Sequence, residues 1–404
     1  MAVYRKRDNR RLPDDRTVTQ GRTRSVGLLA VGHAGVDIYQ GAVPAVVPFL
    51  VLERQYGYVA VSGIVLAATL LSSVVQPVFG ALTDRVRMPW LIPVSMVTAG
   101  LGVALCGVGD SYVLTWLAVA LSGLGVAAYH PESARLARAA SGGNHLAMSW
   151  FSLGGNIGFA LAPIVVTPIL AAGGLSASPW LIIPALLGGL VTTAVLRSLI
   201  AGSAATGGAK ADRGRDDWPV FIRLTGIVIA RSIVYIGLSA FVALWVQQRV
   251  GGGETAGAAA LFVLFAGGAA GTVLGGKLAT VWGRIRALRL SYAASIPAVA
   301  GVVYAPGVSV YVFVALAAVL LYIPFSLHVT LGQDYLPNRV GTASGVTLGL
   351  AVSVGGVATP VLGAIAEATS LQTALTTLLV FPVVAWLLGR TLHEPAALEV
   401  AAAR

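Results

Sequence analysis

Apolar runs of about twenty residues recur along the whole chain, and each is long enough to cross a hydrocarbon core of roughly 30 Å. Twelve such runs cover residues 26–51, 59–82, 90–109, 112–134, 146–171, 179–199, 220–247, 256–279, 287–305, 308–331, 341–365 and 371–390. Membrane strands are excluded because the runs are too long and lack polar alternation. We therefore predict an all-α integral membrane protein with twelve transmembrane helices.

The composition excludes a soluble enzyme. Charged residues make up 11% of the 404 residues and hydrophobic ones 56%, whereas a soluble domain usually carries about 25% charged residues. The single cysteine, Cys106, excludes an internal disulfide framework and a cysteine-based zinc site. The sequence contains no P-loop string, so we expect no ATP drive and predict no cofactor.

The net charge of +11 is a signal of topology. With the N-terminus inside the cell, all but three of the 27 basic residues fall in the cytoplasmic tails and loops or near the cytoplasmic ends of the spans. Such a bias places both termini in the cytoplasm. We predict a multi-pass inner-membrane protein, a monomer in the lipid bilayer, whose partners are protons and a small-molecule substrate. Nucleic acid is not an expected partner.

An internal duplication divides the chain into two halves. Gly80, at the end of the second span, and Gly276, at the end of the eighth, lie 196 positions apart, and Pro163 and Pro360 are related in a similar way. Parallel halves of this kind are typical of transporters that bind substrate between them at the midplane. The predicted organisation is a basic tail 1–25, a six-helix bundle 26–199, a linker 200–218, a second six-helix bundle 219–391 and a tail 392–404.

Ionisable residues inside the spans mark the candidate site. Asp37 lies eleven residues into the first span, near mid-bilayer, and His33 lies one turn earlier on the same face. Arg231 lies at the same depth in the seventh span, which is the equivalent of the first under the duplication. Each charge costs roughly 2.5–3.5 kcal/mol at a helix centre, so a function is the default interpretation. A structural Asp37–Arg231 pair that holds the halves together is the alternative.

We predict that Asp37 carries a proton, with His33 as a relay. Arg231 keeps its charge and can bind an anion through its planar fork. Weaker candidates for the lining of the substrate site, for each of which a packing role is the favoured alternative, are Tyr39, Gln40, Asn156 and Tyr235.

A glycine-containing loop joins the second and third spans. Its sequence, Gly80-Ala-Leu-Thr-Asp84-Arg85-Val-Arg87, resembles the G-x-x-x-D-R loop signature of the major facilitator superfamily. A carboxylate near helix N-termini can latch a gate, with the two arginines beside it, because the helix dipole favours negative charge there. The second half has Thr280 in place of the acid, so we expect a weaker latch or none in that half.

Charged residues at the ends of the fourth and tenth spans are further gate candidates. Glu132 with Arg135 can form a pair at the membrane face, and Glu132 is a second candidate for the proton-carrying group. Asp334 and Arg339 occupy a comparable place in the other half. His130 and Glu132 do not have the i,i+4 spacing of a zinc motif, so no metal site is predicted.

Three sequence segments resemble one particular family of transporters: Gln76 to Trp90, His130 to Gly143, and Leu336 to Gly345. They are similar to the fosmidomycin resistance proteins of the major facilitator superfamily, as is His33-x-x-x-Asp37. The resemblance implies efflux of a small drug, a phosphonate antibiotic in the namesake, driven by proton entry. Thr280 and the long arginine-rich tail depart from the family pattern.

The sequence leaves several functions open. A proton-coupled drug exporter stands first, an importer or facilitator of a metabolite or small organic anion second, and a membrane sensor or scaffold third. The direction of coupling is also open, because an anion on Arg231 beside Asp37 would favour protonation of Asp37. That electrostatic effect favours symport, whereas the resemblance implies antiport.

Overall fold

The structure is a computed structural model, and it describes residues 15–141, 145–201, 215–339, 342–343 and 345–395. The α-helices of these residues are α1 (Asp15–Arg54), α2 (Tyr58–Arg85), α3 (Leu91–Leu105), α4 (Tyr112–Ser141), α5 (His145–Gly173), α6 (Ile182–Ala201), α7 (Trp218–Val250), α8 (Gly253–Trp282), α9 (Arg284–Tyr304), α10 (Val310–Tyr322), α11 (Phe325–Tyr335), α12 (Ala351–Ala368), α13 (Leu371–Thr377) and α14 (Val380–Gly389). Two 3-10 segments, Leu175–Leu181 and Gly307–Ser309, precede α6 and α10, and a π-helical segment, Gly345–Leu350, precedes α12.

The helices confirm the predicted fold class. Within the described ranges, nine helical segments are long and apolar enough to cross a membrane. Three shorter apolar helices are Tyr58–Leu70, Leu91–Leu105 and Ser353–Ala368. Each of these segments overlaps one predicted span, so the structure is consistent with twelve spans in an all-α membrane protein.

The tenth and eleventh spans are less regular than a continuous apolar run suggests. The tenth is divided into α10 and α11, and Pro324 is the N-cap of the second piece. Proline lacks the N–H that a continuous helix would use, so the helix breaks there. The eleventh span begins as the π-helix Gly345–Leu350, a form that is common at functional sites.

Helix packing divides the described chain into two groups. In the first half, α1 packs on α4 and α5, α2 packs on α4, and α3 packs on α4 and α6. In the second half, α8 packs on α7 and α10, α9 packs on α10 and α14, and α7 packs on α12 and α14. The main contacts between the halves are α2 with α12 and α5 with α8, while α1 also touches α7. The exact boundaries of the two domains stay a prediction.

Polar contacts join the halves at the end that carries the α1–α2 connector, here called the far end; the opposite end is the tail end. The Gln248 side chain donates to the Tyr58 hydroxyl at 2.8 Å. The Val59 backbone N–H donates to Glu367 Oε2 at 3.0 Å, so this carboxylate lies at the N-terminus of α2. A carboxylate is stabilised there by the exposed N–H groups and the helix dipole.

Two adjacent glycines of α8 test how closely the helices pack. A Cβ at Gly275 would lie 2.1 Å from the Ile323 carbonyl oxygen, whereas one at Gly276 would meet nothing within 4 Å. We expect Gly275→Ala to destabilise the protein by about 1–3 kcal/mol, because the α8–α10 backbones must separate. Thermal unfolding in detergent measures this. The matched variant Gly276→Ala should melt at or above the wild-type temperature, and equal melting of both variants would contradict the close packing.

Candidate functional site

One carboxylate and two imidazoles form a cluster between α1 and α4. Asp37 is 4% exposed, and its Oδ2 lies 3.3 Å from His33 Nε2, one turn earlier on α1. Its Oδ1 lies 3.3 Å from Nε2 of His130, which α4 contributes just before Pro131. The i,i+4 spacing places the first two residues on the same face. Asp37 is therefore held between two histidines inside the first half.

Backbone carbonyls fix both imidazole rings. His33 Nδ1 lies 2.9 Å from the Phe151 carbonyl oxygen, and His130 Nδ1 lies 2.8 Å from that of Val126. A carbonyl only accepts hydrogen bonds, so each Nδ1 carries the hydrogen and each Nε2 points at Asp37. A Cβ at Gly155 would lie 2.5 Å from Asp37 Oδ2, so α5 closes the third side of the cluster.

An aromatic cage surrounds Arg231 in the second half. This residue of α7 is 4% exposed, and its guanidinium carbon lies 5.3 Å from the Tyr322 ring centre and 5.2 Å from that of Phe325. The Tyr235 ring lies 4.5 Å from the Tyr322 ring. The break between α10 and α11 places Tyr322 at the end of α10 and Phe325 at the start of α11. Cation–π contacts with these rings stabilise the guanidinium.

The guanidinium group of Arg231 has donors without a hydrogen-bond partner among the described residues. Its Nε and Nη1 atoms are buried and have no hydrogen-bond partner, and none of the described acids lies within 4.0 Å of it. Buried donors without acceptors cost free energy, more so when charged. His328 and Tyr292 form a nearby pair, with the hydroxyl 3.1 Å from Nε2, and both interact electrostatically with Arg231. The unpaired Nε and Nη1 donors have the chemistry to bind an anion.

Asp37 and Arg231 occupy separate clusters, and in the described chain they do not form an ion pair. The alternative of a direct structural pair between them is therefore wrong. The Tyr322 hydroxyl interacts electrostatically with both charges. Helices α1 and α7, which carry the two residues, are in contact.

The weaker lining candidates lie in different places. Tyr39 is 1% exposed and donates to the Leu181 carbonyl oxygen at 2.9 Å, so it packs within the first half. Its position two residues after Asp37 points it about 200° away around the helix. Gln40 is half-buried. The Asn156 side chain donates to Thr272 Oγ1 at 3.4 Å and so joins α5 to α8 between the halves.

The gate candidates have partners that the sequence only partly predicts. Arg135 donates to both carboxylate oxygens of Glu132, which is fully buried. Asp334 pairs with Arg284 at 2.6 Å.

Arg339 pairs with Asp216 at 3.6 Å and so does not share a partner with Asp334. Arg87 is exposed, and the side chains of Asp84 and Arg85 lie outside what the structure describes. A gate role for these residues stays a prediction.

The His33, Asp37 and His130 side chains also have the spacing of metal ligands, with one donor atom of each lying within 4.8 Å of the others. The sequence did not predict this convergence, because His130 is distant from Asp37 along the chain. No local pattern signals it, although His130 and His328 lie 198 positions apart, close to the repeat length of the two halves.

The fold and the buried charges describe a membrane transporter, and comparison with known proteins identifies its family. The sequence pattern of the Major Facilitator Superfamily matches residues 29–360, and the chain belongs to this family. It is a multi-pass membrane transporter of small molecules and not an enzyme.

Two relatives align over most of their length. The "Fosmidomycin resistance protein" of Escherichia coli (strain K12) is 31% identical over 360 residues, which are 86% of this chain and 87% of that protein. The "Uncharacterized MFS-type transporter YfnC" of Bacillus subtilis (strain 168) is 29% identical over 366 residues, 88% of this chain and 90% of that one.

Solved structures share the fold at low sequence identity. A bacterial homologue of the human lysosomal transporter Spinster, in an inward-facing and occupied conformation, has a TM-score of 0.73 at 16% identity and covers 91% of this chain and 96% of its own. The nucleoside transporter NupG has a TM-score of 0.69 at 12% identity, and the alignment covers 91% of this chain and 98% of the NupG chain. These likenesses support the fold alone.

Proposed function

We propose that the protein exports a small drug-like anion by proton antiport with alternating access. A phosphonate antibiotic such as fosmidomycin is one candidate substrate, because a relative of 31% identity is named for resistance to it. The observation that carries the proposal is Arg231, a buried guanidinium with two unpaired nitrogen atoms and no acidic partner among the residues described. A membrane protein keeps such a costly group where it has a function.

The substrate's anionic group binds the unpaired Nε and Nη1 donors of Arg231. Guanidinium donors match the oxygen atoms of a phosphonate or carboxylate, and such charge-assisted hydrogen bonds are strong. Tyr235 and Tyr322 supply flat apolar surface beside the guanidinium. Asn156, at the contact between α5 and α8, is the proposed residue of the first half that faces the substrate.

Asp37 carries the proton, with His33 beside it, and Glu132 is the second candidate. The groups that face Asp37 are His33 from α1 and His130 from α4, with Gly155 of α5 behind. Arg231 is not a direct ion-pair partner of Asp37, so an anion that neutralises Arg231 leaves the groups in contact with the carboxylate, His33 and His130, unchanged. This weakens the electrostatic reason to prefer symport.

The proposed setting is the inner membrane, with both termini in the cytoplasm and the chain acting as a monomer. The two bundles, 26–199 and 219–391, rock about the site between them. The end of α2 with Asp84 and Arg85, the following Arg87, and the pairs of Glu132 with Arg135, Asp334 with Arg284 and Arg339 with Asp216 lie toward the tail end. We propose that they regulate opening to the cytoplasm.

An uncoupled or inward-directed transporter of small organic anions is the alternative function. The observation that favours it is the same unpaired Arg231, because anion binding by itself requires no proton. The two functions differ in whether a pH gradient drives accumulation.

Flux in inverted vesicles tests the proposed function. Respiration acidifies the lumen, and a pH-sensitive dye then reports proton movement when an anionic substrate is added outside. We expect phosphonates to release luminal protons, and uncharged esters of the same compounds to give no response, because they cannot bind the Arg231 fork. Equal substrate flux with and without the pH gradient would contradict antiport and support the facilitator.

A further inference from the structure

We propose that His33, Asp37 and His130 form a binding site for one divalent transition-metal ion, with Zn²⁺ as the reference ion. The inference goes beyond the proposed transport function and does not depend on it. Imidazole and carboxylate are ligands that Zn²⁺ uses widely, and two histidines with one acid are a common set for first-row metals. The three residues come from α1 and α4, which pack against each other.

The distances fit such a site. Tetrahedral zinc with bonds of about 2.0–2.2 Å holds neighbouring ligand atoms about 3.4 Å apart. Both Nε2-to-carboxylate distances are 3.3 Å. All three residues offer a donor atom within 4.8 Å of the others, so an ion between them requires only a small inward movement of the two rings.

The hydrogen bonds of the imidazoles support the same conclusion. Both Nδ1 atoms are directed at backbone carbonyls, of Phe151 and Val126. Metal-bound histidines almost always donate their other ring N–H in this way, which fixes the tautomer and leaves the Nε2 lone pair for the ion. Neither Nδ1 contact uses Asp37, so this carboxylate stays available as the third ligand.

The carboxylate is left without a hydrogen bond where a cation would lie. Asp37 Oδ1 is buried and has no hydrogen-bond partner, although His130 Nε2 is only 3.3 Å away. In a neutral imidazole with the hydrogen on Nδ1, the Nε2 lone pair faces a carboxylate oxygen, and two acceptors face each other. A cation between them satisfies both atoms.

Because an incoming proton and the metal ion would use the same atoms, the two compete. Metal binding needs free ligand lone pairs, so affinity should rise with pH. Physiologically, such competition would make micronutrient or toxic metal ions inhibitors of transport. Binding itself requires neither substrate nor a pH gradient, so the test below fails or succeeds independently of the proposed export function.

Titration of the purified full-length chain in detergent with Zn²⁺ or Co²⁺ alone tests the site. We expect one ion per chain, a visible Co²⁺ absorption typical of four-coordinate ligation by the three side chains and one water molecule, and tighter binding at higher pH. His33→Asn and His130→Asn should each weaken binding by more than about 100-fold, since loss of even a supporting partner typically costs 10–100-fold.

Two controls keep the result interpretable. His393→Asn removes an exposed histidine near Asp217 and should bind metal as the wild type does. X-ray absorption on the zinc-loaded wild type, which needs no substitution, should report two imidazole nitrogen ligands. No uptake by the wild type, unchanged binding in His33→Asn and His130→Asn, or fewer than two imidazoles would overturn the proposal.

Discussion

Arg231→Ala is expected to lower the affinity for an anionic substrate by about 100-fold. The side chain is buried, and the hydrogen bonds of a charged fork to an oxyanion contribute about 3 kcal/mol in total. Arg231→Lys keeps the charge but loses the planar fork, so it should retain only part of the affinity. Concentration dependence of substrate uptake into inverted vesicles measures the change.

Arg249→Ala is the matched control for this prediction. Arg249 also lies over an aromatic ring, that of Trp245 at 5.1 Å, but it donates to the carbonyl oxygen atoms of Ala305 and Tyr304. Its donors are therefore satisfied by the protein, and its loss should leave substrate affinity within about twofold of wild type, as is usual for peripheral charges. If the two alanine variants transport alike, the anion site is elsewhere.

The Arg231 cage shows which parts of the site could be predicted from the sequence. Tyr235 follows Arg231 by four residues on one helix, so its proximity is a local property of the α-helix. Tyr322 and Phe325 approach from the broken tenth span, and their positions depend on how α10 and α11 pack around Pro324. An apolar run predicts a span but not the place where it breaks.

The histidine cluster also combines a local contact that the sequence predicts with a contact that depends on helix packing. His33 and Asp37 form an i,i+4 pair that the sequence alone places on one face. His130 joins them only because α4 packs against α1, a long-range contact that no local pattern encodes. The fold was easier to predict, because each span needs its own stretch of apolar residues and the hydrocarbon thickness sets the length of each stretch.

Asp37→Asn is expected to abolish substrate-dependent proton movement, because an amide of the same shape carries no charge and binds no proton near neutral pH. Exchange of labelled for unlabelled substrate without a pH gradient should persist, since Arg231 and its cage are unchanged. Uphill export should also disappear, because it depends on the proton gradient: one charge crossing 100 mV provides about 2.3 kcal/mol, enough for a roughly fiftyfold substrate gradient.

Asp110→Asn is the control, since this acid lies fully exposed at the far end, 3.6 Å from Arg54, and its loss should leave coupling intact. Retained proton movement in Asp37→Asn would contradict the role of Asp37 and direct attention to Glu132, the other buried acid near the cluster on α4. Loss of exchange together with coupling would mean that the substitution damages substrate binding itself. If proton coupling is lost while substrate exchange remains intact, proton binding is assigned to Asp37 in the first half and anion binding to Arg231 in the second half.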